Sequence, residues 1–183
     1  MIELERETTE TKVRLRLATD SASDLGHIRT KDSFLDHMLH SLARYSGLNL
    51  AITATGDLRH HLVEDVAITL GLALRDVIPA TCRRYGHAVV PMDDALVEAA
   101  LDAGGRVYYE GRLPSRLYEH FFRSLAENAG VTLHLTVRRG RDRHHVVEAA
   151  VKATGFALRQ ALAEGDTVFS TKGAVRVERK ETR

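Results

Sequence analysis

Residues 36–73 read DHMLHSLARYSGLNLAITATGDLRHHLVEDVAITLGLA, and residues 119–157 read EHFFRSLAENAGVTLHLTVRRGRDRHHVVEAAVKATGFA. Each stretch begins with an acidic residue and a histidine, passes through Ser-Leu-Ala and a glycine into an alternating apolar segment, and ends in His-His-x-Val-Glu. A step of 83 residues separates His37 from His120, and a step of 84 separates His60 from His144. A repeated unit that contains such a cluster predicts an internally duplicated fold with two related metal sites.

The spacing of apolar residues predicts the same kinds of element in each copy. Asp32 or Ser33 is expected to begin a helix that Gly47 ends, and Gly130 is expected to end its counterpart. The predicted helices cover about 33–46, 60–77, 115–128 and 143–163, and the predicted strands cover 11–18, 48–55, 86–90, 95–102, 106–113 and 131–137.

The second helix of the first copy is apolar on more than one side, which is typical of a helix buried between two layers. We therefore expect an α+β fold in which two β-sheets enclose a four-helix layer. The first half-repeat would occupy residues 1–90 and the second residues 91–183, and together they would form one compact domain.

The composition excludes several classes of protein. The net charge of +1 argues against a general polyanion binder, because nucleic-acid-binding domains usually carry a strong basic excess. The single cysteine, Cys82, rules out an intramolecular disulfide and fits a reducing compartment. The charged N-terminus lacks a secretory apolar region, and no apolar run approaches the ~18 residues that span a bilayer. A cytoplasmic location is expected.

The two His-His-x-x-Glu motifs are suited to metal binding. On a helix, His61 and Glu64, or His60 and Glu64, can converge on one ion, whereas the side chains of the neighbours His60 and His61 diverge. Each His-His pair is therefore expected to serve two different ions. The candidate metal ligands are His37, His60, His61, Glu64, His120, His144, His145 and Glu148. Imidazole and carboxylate ligands suit Mn, Fe, Co, Ni or Zn, and the sequence does not choose among them.

The chain as a whole resembles the imidazoleglycerol-phosphate dehydratases of histidine biosynthesis. The resemblance extends over essentially the whole sequence and begins with the N-terminal Arg-x-Thr-x-Glu-Thr. The other motifs that carry it are FLDHML at 34–39, HHLVED at 60–65, RYG at 84–86, PMDDAL at 91–96, EHFFRSLA at 119–126, HHVVEA at 144–149 and STKG at 170–173.

The resemblance implies a fold of two similar halves, each similar to the second domain of a small-subunit ribosomal protein, and a shell of 24 subunits. It also implies two Mn²⁺ ions per active site, at subunit interfaces. One ion would take His37, His61, Glu64 and His144, and the other would take His60, His120, His145 and Glu148. This arrangement divides each His-His pair between two ions.

The reaction implied is the removal of water from D-erythro-imidazoleglycerol phosphate, which gives imidazoleacetol phosphate. Two metal ions that hold the imidazole ring would stabilise an electron-rich intermediate after hydroxide leaves. The residues implied in catalysis are Glu10, His37, His61, Glu64, His145 and Glu148, with Glu10 as the acid/base. The residues implied in binding substrate and its phosphate are Glu10, Arg84, Arg106, Ser170 and Lys172.

Two departures from the family pattern leave other interpretations open. The glutamine and histidine that usually follow the first motif are replaced by Ser41 and Tyr45, which admits a divergent dimetal lyase or hydrolase acting on another imidazole or phosphate compound. A metal-binding shell without catalysis is a further alternative, which Glu10 and Lys172 argue against. The basic run at 138–143 lacks interleaved aromatic residues, so it is interpreted as a solvated or substrate-facing loop and not as a nucleic-acid site.

Overall fold

The computed structural model describes residues 1–19 and 26–165. Its strands are β1 (Ile2–Glu7), β2 (Thr11–Ala18), β3 (Ile28–Arg29), β4 (Asn49–Gly56), β5 (Tyr85–Met92), β6 (Ala95–Asp102), β7 (Tyr108–Gly111) and β8 (Thr132–Arg139). Its helices are α1 (Ser33–Ser46), α2 (Arg59–Val77), α3 (Arg116–Ala129) and α4 (Arg143–Ala161). Among the described residues, no helix is long and apolar enough to cross a membrane.

The two halves have the same topology. The first sheet has the strand order β1-β2-β4-β3 and the second has the order β5-β6-β8-β7. In each sheet the first two pairings in this order are antiparallel, and the pairing of the third strand with the fourth is parallel. The predicted duplication is therefore confirmed.

The first helix of each half begins and ends where the sequence predicts. The Asp32 carboxylate accepts hydrogen bonds from the first backbone N–H groups of α1, and the Ser115 hydroxyl does the same for α3. Gly47 and Gly130 follow these helices with φ of 74° and 72°, a conformation that favours glycine. These signals are local in the sequence, which is why they could be recognised there.

The four helices form the predicted layer between the sheets. In the first half α2 packs on β1, β2 and β4, and in the second half α4 packs on β5 and β6. Between the halves, α2 packs against α3 and α1 packs against α4. Gly71 and Gly155, which lie 84 residues apart, allow these close crossings, because a Cβ would meet Asn128 at 2.8 Å in one and Tyr45 at 2.8 Å in the other. The core therefore runs through both halves.

Some elements differ from the sequence predictions. The strands β1 and β3 were not predicted, because β1 alternates apolar residues with glutamates at an edge and β3 has only two residues. The strand predicted over 106–113 is limited to Tyr108–Gly111. Strand β5 runs from Tyr85 to Met92, so the division predicted after residue 90 falls inside it, and segment 78–84 connects the two halves.

A buried carboxylate links the first sheet to α2. Asp65 is 8% exposed, accepts a hydrogen bond from the Thr11 hydroxyl, and has its Oδ2 2.7 Å from Arg6 Nη1. Removing one partner of a buried ion pair leaves an uncompensated charge.

We expect Asp65→Ala to lower the free energy of unfolding by roughly 2–3 kcal/mol, below the value for a fully buried pair because Arg6 is partly exposed. Thr11→Val removes only the neutral donor and is expected to cost about 1 kcal/mol. Thermal unfolding at fixed protein and metal concentration measures both. Equal effects of the two substitutions would contradict the role of the charge.

Candidate metal centres and the edge that carries them

The N-termini of the four helices lie along one edge of the helical layer. The Phe34 ring of α1 lies 5.1 Å from the Tyr118 ring of α3 and 5.1 Å from the His144 ring of α4. The Arg59 guanidinium at the start of α2 pairs with Asp32 at the start of α1. Arg59 therefore points at an acidic neighbour, although it stands beside the first His-His pair in the sequence. This edge brings together residues far apart in the chain.

One cluster joins α1 and α4. Glu148 Oε2 lies 3.1 Å from His144 Nε2 and 3.4 Å from His37 Nε2, and the two imidazole rings stack with centroids 6.3 Å apart. Glu148 is 5% exposed, and its other oxygen lies 2.8 Å from Lys152 Nζ. Burial raises the pKa of Glu148, but Lys152 and then His37 lower it more, so the net pKa lies below the ordinary value. The carboxylate is therefore ionised at neutral pH.

A second cluster joins α2 and α3. Glu64 Oε2 lies 3.4 Å from His60 Nε2, and Glu64 Oε1 lies 3.2 Å from His120 Nε2. The His60 and His120 rings meet edge to face with centroids 5.2 Å apart. In each of the two clusters one ligand atom per residue lies within 4.8 Å of the others. Two imidazole nitrogens and a carboxylate oxygen at this spacing fit a divalent transition-metal ion.

The remaining histidine of each motif faces away from these clusters, toward a sheet. The Nδ1 of His61 lies 2.8 Å from Asp57 Oδ1, and the Nδ1 of His145 lies 2.7 Å from Asp94 Oδ1. These hydrogen bonds are the main reason why the pKa of each histidine is raised. The bond to His145, followed by the backbone N–H of Arg141, lowers the pKa of Asp94 to about 2.

The predicted acid/base Glu10 lies in the turn between β1 and β2. The Thr8 hydroxyl accepts hydrogen bonds from the backbone N–H groups of Glu10 and Thr11, at 3.1 and 3.0 Å, which fixes the turn. The exposed Glu10 side chain has its Oε2 3.5 Å from His61 Nδ1. Glu10, Asp57 and His61 form a third group whose ligand atoms lie within 4.8 Å of one another.

The predicted phosphate-binding arginines lie at the opposite end of α4. Arg84 N–H donates to the carbonyl of Ala161, the last residue of this helix, and the Arg84 side chain makes two hydrogen bonds to Asp102, at 2.6 and 2.9 Å. Arg106 is exposed and lies in the β6–β7 connection, three residues after Ala103, whose N–H donates to the Arg84 carbonyl. At 1.5 Å per residue, Ala161 lies about 25 Å along the helix from His144. Ser170 and Lys172 lie outside the described residues.

The two departures from the family pattern lie on α1, where it packs against α4. Ser41 is 8% exposed, and the Tyr45 ring lies 5.0 Å from the Phe156 ring with Lys152 Nζ 5.6 Å from its centre. Tyr45 thus contacts the lysine that pairs with Glu148. Both substitutions are accommodated in helix packing beside the α1–α4 cluster.

The structure brings the predicted histidines together in pairs, but it distributes the glutamates differently from the predicted sets. His37 with His144, and His60 with His120, are paired as the resemblance implies. Within one chain, however, Glu148 contacts the first pair and Glu64 the second, and neither His61 nor His145 joins either pair. The predicted four-residue sets therefore stay a prediction.

Sequence reasoning gave no role to four charged residues that contact the predicted ligands, namely Asp57, Asp93, Asp94 and Lys152. The spacing of four residues between Asp57 and His61, and between Glu148 and Lys152, was an available signal. The contact of Asp94 with His145 spans 51 residues and left no such signal.

Comparison with known proteins gives one consistent family. The sequence model of the IGPD family, imidazoleglycerol-phosphate dehydratase, matches residues 30–158. The imidazoleglycerol-phosphate dehydratase of Granulibacter bethesdensis is 44% identical over 191 residues, covering 94% of this chain and 97% of its own. That of Pyrococcus furiosus is 43% identical over 182 residues, covering 94% of this chain and 100% of its own.

Solved structures agree with this relationship. The crystal structure of IGPD from Pyrococcus furiosus superposes with a TM-score of 0.84 at 41% identity, covering 94% of this chain and 100% of that one. The structure of imidazoleglycerol-phosphate dehydratase from Staphylococcus aureus gives 0.79 at 34% identity, covering 88% and 98%. The duplicated fold, the edge of paired histidines and the near full-length match agree: the chain belongs to the imidazoleglycerol-phosphate dehydratase family.

Proposed function

We propose that the chain carries out its family's dehydration with two divalent metal ions per active site, in sites completed by neighbouring subunits. The reaction follows from family membership: the chain is a hydro-lyase of histidine biosynthesis that removes water from imidazoleglycerol phosphate. Mn²⁺ is the proposed ion, and a shell of 24 subunits is the proposed assembly. The paired histidine–glutamate clusters are the observation that supports metal dependence.

The donor sets fit divalent metal ions. Each cluster combines two imidazole Nε2 atoms with one carboxylate, and Glu148 is ionised, as a metal ligand must be. When bound, the ions supply positive charge beside the substrate's imidazole ring and its leaving hydroxyl. The chain itself supplies Glu10 as a base that takes and returns a proton, because its carboxylate is exposed and stands beside His61 on an ordered turn.

The distance between the two ends of α4 supports a shared site. A substrate of this size spans on the order of 10 Å, whereas Arg84 lies at the end of α4 that is about 25 Å from His144. One chain therefore cannot present both its histidine–glutamate clusters, at the metal edge formed by the helix N-termini, and its Arg84 to the same substrate molecule. A second copy that presents Arg84 and Arg106 to the metal edge of the first removes the conflict.

The distribution of histidines points in the same direction. A complete set of three histidines and one glutamate needs His61 or His145 beside a pair that the same chain does not bring to it. Ligands from a neighbouring copy would supply them. This is the argument for metal sites at subunit interfaces and, with them, for the shell.

The test is a turnover assay on purified protein with imidazoleglycerol phosphate, in which mass spectrometry follows the loss of one water. We expect no product after treatment with a chelator and full recovery with added Mn²⁺, because the added ions would restore the positive charge that the dehydration needs. Light scattering on the same samples should show a large assembly that breaks down without metal. Turnover by metal-free protein would refute metal dependence, and bound metal without product would favour another substrate.

A further inference from the structure

The Nδ1 atoms of His61 and His145 are each held by a carboxylate that lies outside the predicted ligand sets. Asp57 accepts from His61 at 2.8 Å and Asp94 accepts from His145 at 2.7 Å. Because an ionised carboxylate can only accept a hydrogen bond, Nδ1 carries the hydrogen in both rings. In the neutral form of each ring, Nε2 then holds the lone pair that can bind a metal ion. The Nε2 of His145 lies 3.3 Å from Asp93 Oδ2, so an ion bound there would also have this carboxylate beside it.

Asp57 and Asp94 do not occupy equivalent positions in the two halves. Glu10 and Asp94 are separated by 84 residues, the same step as His60 and His144, so Asp94 is the counterpart of Glu10 in the second half. Both stand in the turn before the second strand of their sheet. The counterpart of Asp57 at this step is Arg141, which cannot accept from an imidazole. The first half thus has Glu10 and Asp57 at the Nδ1 of His61, whereas the second half has Asp94 at the Nδ1 of His145 and Asp93 3.3 Å from its Nε2.

We propose that Asp57 and Asp94 are positioning residues that orient His61 and His145 toward the metal ions, and that Asp57 thereby leaves Glu10 free for proton transfer. The proposal rests on the metal-dependent function proposed above. It explains why the counterparts Glu10 and Asp94 differ in side-chain length and in contact. Asp94 is in direct hydrogen-bond contact with its histidine, whereas Glu10 is 3.5 Å from His61.

Both aspartates are themselves held in place by the backbone. Asp57 Oδ1 accepts from the N–H of Leu58 at 2.6 Å. Asp94 Oδ2 accepts from the N–H groups of Arg141 and Asp142 at 2.6 and 3.2 Å, which leaves its Oδ1 for His145. A carboxylate fixed in this way can fix the ring that it contacts, and such outer partners of histidine ligands tune metal affinity.

The test is a titration with Mn²⁺ in which electron paramagnetic resonance reports the free ion. The assembled wild-type protein is compared with Asp57→Asn and Asp94→Asn. Glu10→Gln is the matched control beside the same ring, and Asp76→Asn is the control at the far end of α2. We expect each aspartate variant to weaken one of the two ions per chain by roughly 10–100-fold and to leave the other unchanged. Both controls should bind both ions as the wild type does.

The outcomes separate this proposal from the one on which it rests. If the wild type binds no Mn²⁺, metal dependence fails and the positioning role fails with it. If the wild type binds two ions per chain and the aspartate variants bind them equally well, only the positioning role is overturned. Equal weakening of both ions together with a lower melting temperature would mark a structural role and would also overturn it. If Glu10→Gln weakens binding as much as Asp57→Asn, the division of tasks between these carboxylates is wrong.

Discussion

Glu10→Gln is expected to lower turnover by roughly 10²–10⁴-fold while the protein keeps its metal content and its assembly. The amide is close in size to the carboxylate, so the turn that Thr8 anchors is preserved. The amide cannot take a proton, however, and the chemical step loses its base. Steady-state kinetics on the Mn²⁺-loaded protein measures the effect, which should lie in kcat more than in KM.

A matched control separates proton transfer from general electrostatics. Glu3 is an exposed glutamate on β1, the strand that leads into the turn of Glu10. Glu3→Gln removes the same charge from the same hairpin and is expected to leave kcat unchanged. A fall in kcat of similar size for both variants would attribute the effect to charge alone. Unchanged kcat in Glu10→Gln would remove Glu10 from the mechanism.

The sequence predicts the helices well because their signals are local. Asp32 marks a helix start by side-chain capping, and Gly47 and Gly130 mark helix ends by a left-handed conformation; the structure confirms all three. Strand β1 was missed because its exposed positions carry glutamates. Lys12 on the neighbouring strand pairs with Glu5 and Glu7, and this contact exists only once the two strands have paired. Edge strands are defined by pairing, and one sequence does not show its pairing.

The candidate site was predictable as a set of residue types, but not as an arrangement. The repeat identified His60, His61, His144 and His145, and helix geometry correctly separated the neighbours in each pair. Which carboxylate meets which histidine depends on how the hairpins fold back over the helix N-termini. The contact between Asp94 and His145 depends on the β5–β6 turn, and no helical periodicity encodes it.

Gly86→Ala is expected to be the most damaging substitution outside the metal edge. This glycine lies in β5, where the strand packs against α4, and an added Cβ would lie 1.8 Å from the carbonyl oxygen of Ala157 and 2.6 Å from its carbonyl carbon. Both atoms belong to the backbone, so no side-chain rotation relieves the overlap. The strand and the helix must separate, and close-packed layers resist this strongly.

We expect the free energy of unfolding to fall by about 3 kcal/mol or more, at the upper end of the cost of overpacking, with poor recovery of soluble protein. Gly47→Ala is the matched control: this glycine has a φ of 74° but no atom within 4 Å of an added Cβ, so only conformational strain of about 1–2 kcal/mol is expected. Thermal unfolding of both variants at one protein concentration makes the comparison. Because Arg84 lies two residues before Gly86 and is bonded to the end of α4, the Gly86 variant that does fold should also bind substrate more weakly, with a raised KM. A melting temperature above that of Gly47→Ala would show that the contact between strand and helix is looser than the distances require.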